Sequence, residues 1–138
     1  MSLRALPLIV ISFILYNVMA LFSGDLPTEE VFRKAFFHVP MLRGATWSFT
    51  WGDLVILVTM ICLFAELIKS TYTSSASLVD HGLSMVVFIA CLVEFLLVPQ
   101  AATSVFFFIV VAVLIDVVAG FMIGIRVARR DLSIGHDT

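Results

Sequence analysis

Residues 105–126 are VFFFIVVAVLIDVVAGFMIGIR, an apolar run that contains one acidic residue, Asp116, and ends at Arg126. A helix needs about 20 mostly apolar residues to cross the hydrocarbon core of a bilayer. This run reaches that length, and it therefore predicts a membrane-spanning helix.

The composition of the whole chain has the same apolar bias. Of its 138 residues, 62% are hydrophobic and 13% are charged, and its mean hydropathy is +1.14, whereas soluble domains are roughly half apolar. We therefore expect an integral membrane protein that has the lipid bilayer as a partner. The formal net charge of -2 offers no basic surface, so nucleic-acid binding is not expected.

Three further stretches are apolar over a similar length and lie near 5–23, 54–69 and 78–98. Together with 105–126 they predict a single domain over 1–138, an all-α membrane protein with a bundle of four transmembrane helices. The first stretch is longer than the apolar region of a secretory signal, and no small-residue cleavage site follows Met19. We therefore expect it to be a retained span.

Residues that favour helix ends lie at the borders of these stretches. Asp53 is predicted to cap the second helix. Pro99 is expected to stop the third helix, because proline cannot continue one. Thr103 or Ser104 is then expected to begin the fourth.

Basic residues indicate the orientation, because cytoplasmic segments of membrane proteins are enriched in lysine and arginine. One side of the predicted bundle carries Arg4, Lys69, Arg126, Arg129 and Arg130, and the turn at 99–104 on the other side carries none. We therefore expect a multi-pass protein of a bacterial inner membrane with both termini in the cytoplasm. Three basic residues on the opposite side weaken this argument: Arg33, Lys34 and Arg43.

The connection at 24–52 is the only sizeable segment outside the predicted spans. From Thr28 to Val39 apolar residues recur at helical spacing, with charged residues on the other side. This pattern predicts a short amphipathic helix on the membrane surface between the first and second spans. Its apolar face is formed by Phe32, Ala35, Phe36 and Val39.

Three aromatic residues precede the second span. Trp47, Phe49 and Trp51 alternate with polar residues, which predicts an extended segment with all three rings on one side. Aromatic rings favour the headgroup region of a bilayer, so we interpret the three as an interfacial anchor. The alternative is that the loop at 24–52 forms a lid or a docking surface on the periplasmic side.

Four acidic residues lie within or beside the predicted spans: Glu66, Asp80, Glu94 and Asp116. An ionisable side chain within the hydrocarbon costs at least ~2.5 kcal/mol on insertion scales and usually faces the bundle interior, a partner or water. Three of them have a local structural interpretation. Glu66 can form an i,i+3 ion pair with Lys69, Asp80 can cap the third helix, and Glu94 can reach headgroup water.

Asp116 lies close to the middle of the fourth predicted span. Its neighbours at four-residue steps are small and share its helix face: Ala112, Gly120 and Gly124. Small residues let helix backbones approach closely in lipid, so this face is predicted to be a packing surface. There Asp116 hydrogen-bonds to Asn17 or Tyr16 of the first span, binds a proton or cation, or joins an interface with another protein.

Motifs for catalysis are missing from the sequence. The three histidines are too scattered for haem ligation across a bilayer, and no phosphate loop, nucleophile arrangement or metal-ligand spacing occurs. Cys62 and Cys91 lie in apolar runs without a Cys-x-x-Cys pair. We therefore expect no enzyme activity, no cofactor and no metal.

Two functions remain. The first is a non-enzymatic accessory or assembly protein of the inner membrane, whose carboxylates and small-residue faces bind neighbouring helices in a homo-oligomer or a larger membrane-protein complex. The second is a homo-oligomeric transporter or channel for a proton or small cation. In that protein Asp116 binds the ion, and Glu66 and Glu94 serve the two mouths of the path. Asp80 is a further candidate ion-binding residue.

Overall fold

The computed structural model of the chain describes residues 6–72 and 75–136 and is mostly helical. Its four long helices are α1 (Val10–Leu21), α3 (Trp51–Lys69), α4 (Ser75–Leu97) and α5 (Ser104–His136). Between α1 and α3 lie a short helix, α2 (Thr28–Arg33), and two strands, β1 (Ala35–Pro40) and β2 (Thr46–Thr50).

Among the described residues, two helices are long and apolar enough to cross a membrane. They are Trp51–Lys69, with a mean hydropathy of 2.1, and Ser104–Val127, with a mean hydropathy of 2.8. The apolar helical stretches Val10–Leu21, which is α1, and His81–Leu97, which is part of α4, are shorter. By length and composition, the second and fourth predicted stretches therefore have the capacity to span.

The first helix is shorter than the predicted stretch at 5–23. It has twelve residues and is preceded by turns, in which the N–H of Leu8 donates to the side chain of Glu66 rather than to a helix carbonyl. At its other end Gly24 has a φ of +64°. Glycine adopts this left-handed conformation at little cost, and the chain turns away there.

The start of α3 differs from the prediction in its capping residue. Thr50, not Asp53, is the N-cap. Its Oγ1 accepts the N–H of Asp53 at 3.1 Å, while Oδ2 of Asp53 accepts the N–H of Thr50 at 3.0 Å. Asp53 therefore acts from the third helical position, as the second half of a capping box.

The turn between α4 and α5 agrees with the prediction. α4 ends at Leu97, and Pro99 begins a 3-10 turn. Oγ1 of Thr103 then accepts the N–H of Phe106 at 3.2 Å, so Thr103 caps α5.

The segment 35–39 is a strand, so the predicted amphipathic helix is too long and the chain is not all-α. Its aromatic and β-branched residues favour extended structure. Gly44, with a φ of +88°, allows the tight turn that pairs β1 with β2 in an antiparallel hairpin, where Phe37 lies opposite Phe49. This pairing is between distant residues, and helical periodicity in one segment does not reveal it.

α5 lies against the other three long helices. α5 runs antiparallel to α4, because Phe95 stacks on Phe106 at one end of the helix pair and His81 lies against Gly120 at the other. These two pairs fix the relative positions of the two helices along their length.

α3 runs parallel to α5 and antiparallel to α1. Gly52 at the start of α3 meets Val105 at the start of α5, and Ser70 just after α3 meets Gly120. The contact of Leu8 with Glu66 places the start of α1 beside the end of α3.

Polar side chains are buried in this arrangement, while large apolar ones are exposed. The buried polar residues in or next to the long helices are Ser12, Thr59, Glu66, Ser70, Ser84, Thr103 and Asp116. Exposed apolar residues occur on all four long helices and include Ile14, Met60, Phe64, Val86, Leu97, Phe121 and Met122. Water-soluble monomers rarely expose apolar surface on this scale.

Candidate functional site

Glu66 lies at the joint between α3 and the start of α1, with 1% of its surface exposed. Its Oε1 accepts the N–H of Leu8 and lies 3.3 Å from Nζ of Lys69. Nζ of Lys69 also donates to the carbonyl of Leu6 at 3.0 Å. The predicted ion pair is confirmed, and because charge-assisted hydrogen bonds are strong, it fixes the beginning of α1 on the end of α3.

Asp116 is 3% exposed, and its helix face meets both α3 and α4. Gly120, one turn further along that face, lies so close to His81 that a Cβ there would be 2.9 Å from Cε1 of the ring and 3.4 Å from the hydroxyl of Ser70. The other small residues of the face are also buried: Ala112 and Gly124. Within this chain the small-residue face therefore lies at a contact of three helices.

Three buried polar side chains lie at one level of the structure. Gly120 lies beside Ser70 and His81, and α5 is parallel to α3 and antiparallel to α4. One helical turn from these three residues, toward the start of α3 and α5 and toward the end of α4, the three helices are therefore at the same depth. At that depth are Glu66, Ser84 and Asp116, each at most 3% exposed. We call these three residues the inner polar layer.

Asp80 was predicted as a helix cap or an ion ligand. Its backbone belongs to α4, but its side chain is outside the part of the chain that the structure describes. Because α4 begins at Ser75, Asp80 lies in its second turn, and the predicted capping role is wrong. The role of Asp80 in ion binding stays a prediction.

Glu94 lines a cleft of about 750 Å³ near the other end of α4. Its Oε2 accepts a hydrogen bond from Nδ2 of Asn17 at 3.4 Å, which joins α4 to α1. The walls of the cleft come from α1, the turn after it and the connection between α4 and α5. Among the described lining residues the acidic ones are Asp25, Glu29 and Glu94, and none is lysine or arginine.

Tyr16 contributes to the same end of the structure. Its hydroxyl donates to the carbonyl of Gln100 at 2.8 Å and lies 2.7 Å from Oγ1 of Thr103. Thr103 precedes Asp116 by a distance of about 20 Å along the helix axis. The predicted hydrogen bond from Tyr16 to Asp116 is therefore wrong, and Asn17 is likewise bound to Glu94 instead.

The inner polar layer and the cleft at Glu94 are separated along the helices. The contacts between α4 and α5 place Glu94 opposite residue 107, which is about 14 Å from Asp116 along α5. Buried apolar side chains occupy the interval between the two levels: Cys91, Ile109, Val110 and Val113. The structure thus does not bring Glu94 together with Glu66 or Asp116.

The aromatic residues of the predicted interfacial anchor divide between two groups. Phe49 stacks on Phe37 with ring centroids 4.9 Å apart, and Trp47 lies 5.7 Å from Phe49. Trp51 already belongs to α3 and meets Phe36 at 4.6 Å. Trp47 and Phe49 therefore share one side of the hairpin, while Trp51 does not continue it.

Ser70 and His81 are neighbours of Gly120 that sequence reasoning missed. Ser70 follows Glu66 by four residues, and its hydroxyl donates to the carbonyl of Glu66 at 3.0 Å, so helical spacing was a usable signal. The approach of His81 depends on how α4 aligns with α5, which spacing within one helix cannot give. Among the described residues, Nε2 of His81 has no hydrogen-bond partner.

Within residues 6–72 and 75–136, no group of three or more His, Cys, Asp or Glu side chains is arranged to hold a metal ion. No protein-family model, curated protein or solved structure matches the chain.

Proposed function

We propose that the chain crosses a bacterial inner membrane four times, with both termini in the cytoplasm. The support is the distribution of side chains, because lipid is the solvent that suits apolar residues exposed on all four long helices around buried polar ones. The two helices of spanning length form part of this surface.

The short helix α1 fits this proposal despite its length. Its twelve residues rise about 18 Å, less than the ~30 Å of a hydrocarbon core. However, Leu6 contacts Lys69 at the end of α3, and Tyr16 contacts Thr103 at the start of α5. α1 with its preceding turns thus extends from the level of the end of α3 to the level of the start of α5.

Within the membrane we propose a non-enzymatic accessory or assembly protein that binds neighbouring membrane helices. The observation that carries this proposal is the use of the carboxylates to join helices. Glu66 attaches α1 to α3, and Glu94 binds Asn17 of α1. Apolar packing between their levels favours a role in helix association over a polar path.

The outer side of α4 is the surface proposed for a neighbouring helix. α4 makes most of its contacts with α5 and the turn between them. An added Cβ at Gly82 would meet no atom within 4 Å, and Ala90, two turns further along, is also exposed. Small exposed residues allow close approach of another membrane helix, from a second copy or from another subunit.

The test is the native mass of the tagged protein purified from its own membrane in mild detergent. We expect a defined complex for the wild type and loss of that complex for Ala90→Trp. The control Phe64→Trp, which introduces the same indole ring at an exposed site on α3, should retain the complex. A monomer for the wild type, or equal behaviour of the two variants, would contradict the proposal.

The second candidate is a homo-oligomeric transporter or channel for a proton or small cation. It is favoured by the burial of Asp116 in a helix of spanning length and by the acidic cleft at Glu94. In this case Asp116→Asn would keep the oligomer but abolish ion flux into liposomes. Wild-type protein that gives no flux under any imposed ion or pH gradient would eliminate this candidate.

A further inference from the structure

The hairpin of β1 and β2 has few contacts with the helices and leaves most of its aromatic rings exposed. Most of its residues are exposed, including Phe36, Phe37 and Trp47, the last by 46%. The tip adds Met41 and a fully exposed Leu42. Because a lone two-stranded hairpin is marginally stable in water, this apolar surface requires a covering partner.

The charge of the hairpin indicates the chemistry of that partner. No acidic residue occurs between Glu30 and Asp53, whereas this interval contains three basic ones, Arg33, Lys34 and Arg43. Arg33 pairs with Glu29 at 2.6 Å. Lys34 at the base and Arg43 at the tip form no ion pair with any described residue, so the hairpin offers a positive charge at each end.

The hairpin is also held at the boundary of a candidate membrane-spanning helix. β2 passes directly into α3 through the capping box of Thr50 and Asp53. The N–H of Trp51 donates to the carbonyl of Lys34 at 3.1 Å, which fixes the base of β1 at the same level. If α3 spans the bilayer, the base of the hairpin therefore lies at the level of the lipid headgroups.

We infer that the hairpin binds anionic phospholipids of the outer leaflet, with Trp47 and its neighbouring rings among the headgroups and with Lys34 and Arg43 on the lipid phosphates. This inference rests on the membrane location in the proposed function. Amphipathic aromatic rings and basic side chains are the groups that bind at such a surface. A protein partner would need a surface of specific shape that is complementary to both the rings and the two positive charges. An anionic lipid surface binds both kinds of group without such a shape.

The two tryptophans of the chain, Trp47 and Trp51, allow a direct test in full-length protein. Trp51→Phe leaves Trp47 as the only reporter, and the protein is reconstituted in vesicles of phosphatidylcholine and phosphatidylglycerol in which either lipid is brominated. We expect brominated phosphatidylglycerol to quench Trp47 more strongly than brominated phosphatidylcholine at equal content. The preference should fall by about fivefold for each basic side chain removed.

Two variants make the charge argument specific. Lys34→Gln with Arg43→Gln should abolish the preference for brominated phosphatidylglycerol while keeping quenching by brominated phosphatidylcholine. Arg126→Gln with Arg129→Gln removes the same charge near the other end of α5 and should leave the preference unchanged. Equal quenching by the two brominated lipids in the parent protein would overturn the inference.

A span reporter separates failure of this inference from failure of the membrane proposal. With both native tryptophans replaced by phenylalanine, Phe64→Trp places a ring on the exposed side of α3. One outcome is that lipid quenches this ring while, in the Trp51→Phe protein, Trp47 is quenched only by aqueous acrylamide. In that case the hairpin inference is wrong and the membrane location of α3 still holds. Protection of Trp47 from both quenchers would also overturn it, in favour of a second copy. If the Phe64→Trp ring is not quenched by lipid, the membrane location itself fails.

Discussion

Replacing Lys69 with methionine should destabilise the protein strongly, although the site lies near the end of α3. The ammonium group is 3.3 Å from a carboxylate oxygen of Glu66, a residue 1% exposed. Removal of one partner of a buried ion pair costs about 3–5 kcal/mol. Because the side chain of Lys69 is itself 27% exposed, water screens part of the interaction, and we expect the low end, about 3 kcal/mol.

The double variant Glu66→Gln with Lys69→Met should recover part of this loss. Glutamine keeps an oxygen that accepts the N–H of Leu8 but carries no charge, so the buried charge is gone. The remaining loss is that of a charge-assisted hydrogen bond and of the Lys69 bond to Leu6, about 1–2 kcal/mol. The double variant is therefore expected to be more stable than Lys69→Met alone.

The assay is equilibrium unfolding in detergent mixed with increasing dodecyl sulfate, followed by helical circular dichroism. Lys34→Met removes the other lysine of the chain, which is exposed, and should change the free energy of unfolding by at most about 0.5 kcal/mol. A Lys69→Met protein as stable as the wild type, or a double variant less stable than Lys69→Met, would refute the assigned role of the pair.

Three further substitutions test the helix contacts and the hairpin turn, the first two with the same unfolding assay and the third by amide exchange. Gly120→Leu should cost about 1–3 kcal/mol by overpacking, because its Cβ would lie 2.9 Å from His81. Val118→Leu, at an exposed site of the same helix, should be nearly neutral, and equal effects would contradict this contact. Tyr16→Phe removes the hydrogen bonds at Gln100 and Thr103 and should cost about 1–3 kcal/mol, so an unchanged stability would place those bonds in doubt. Gly44→Ala strains a turn with a φ of +88° by about 1–2 kcal/mol, and unchanged amide exchange in β1 would argue against the turn.

Hydropathy and the residues that favour helix ends predicted the positions of the long helices well, but not all of their lengths. The end of α4 before Pro99 and the cap at Thr103 follow from local chemistry. The limits of α1 do not, because they depend on Glu66, more than fifty residues away. Local signals therefore located helix ends where the interactions were local.

The extended segment before the second span was predicted and is β2, but the pairing with β1 was missed because the sequence of β1 fits two periods. Phe32, Ala35, Phe36 and Val39 satisfy helical spacing, and the choice of a strand was made by pairing with 46–50. The face of Asp116 was predicted from small residues at four-residue steps, and those residues are buried. Which side chains contact that face depends on the alignment of three helices, and the sequence pattern of one helix does not reveal that alignment.

The measurement that tests the proposed four-span topology most directly is cysteine labelling in intact cells with a maleimide that does not cross membranes. In a Cys62→Ala and Cys91→Ala background, single cysteines replace four exposed residues, Ala45, Tyr72, Gln100 and Leu132. We expect labelling at 45 and 100 in intact cells and labelling at 72 and 132 only after the membrane is opened. Labelling of 72 or 132 from outside, or recovery of the protein in the soluble fraction, would contradict it.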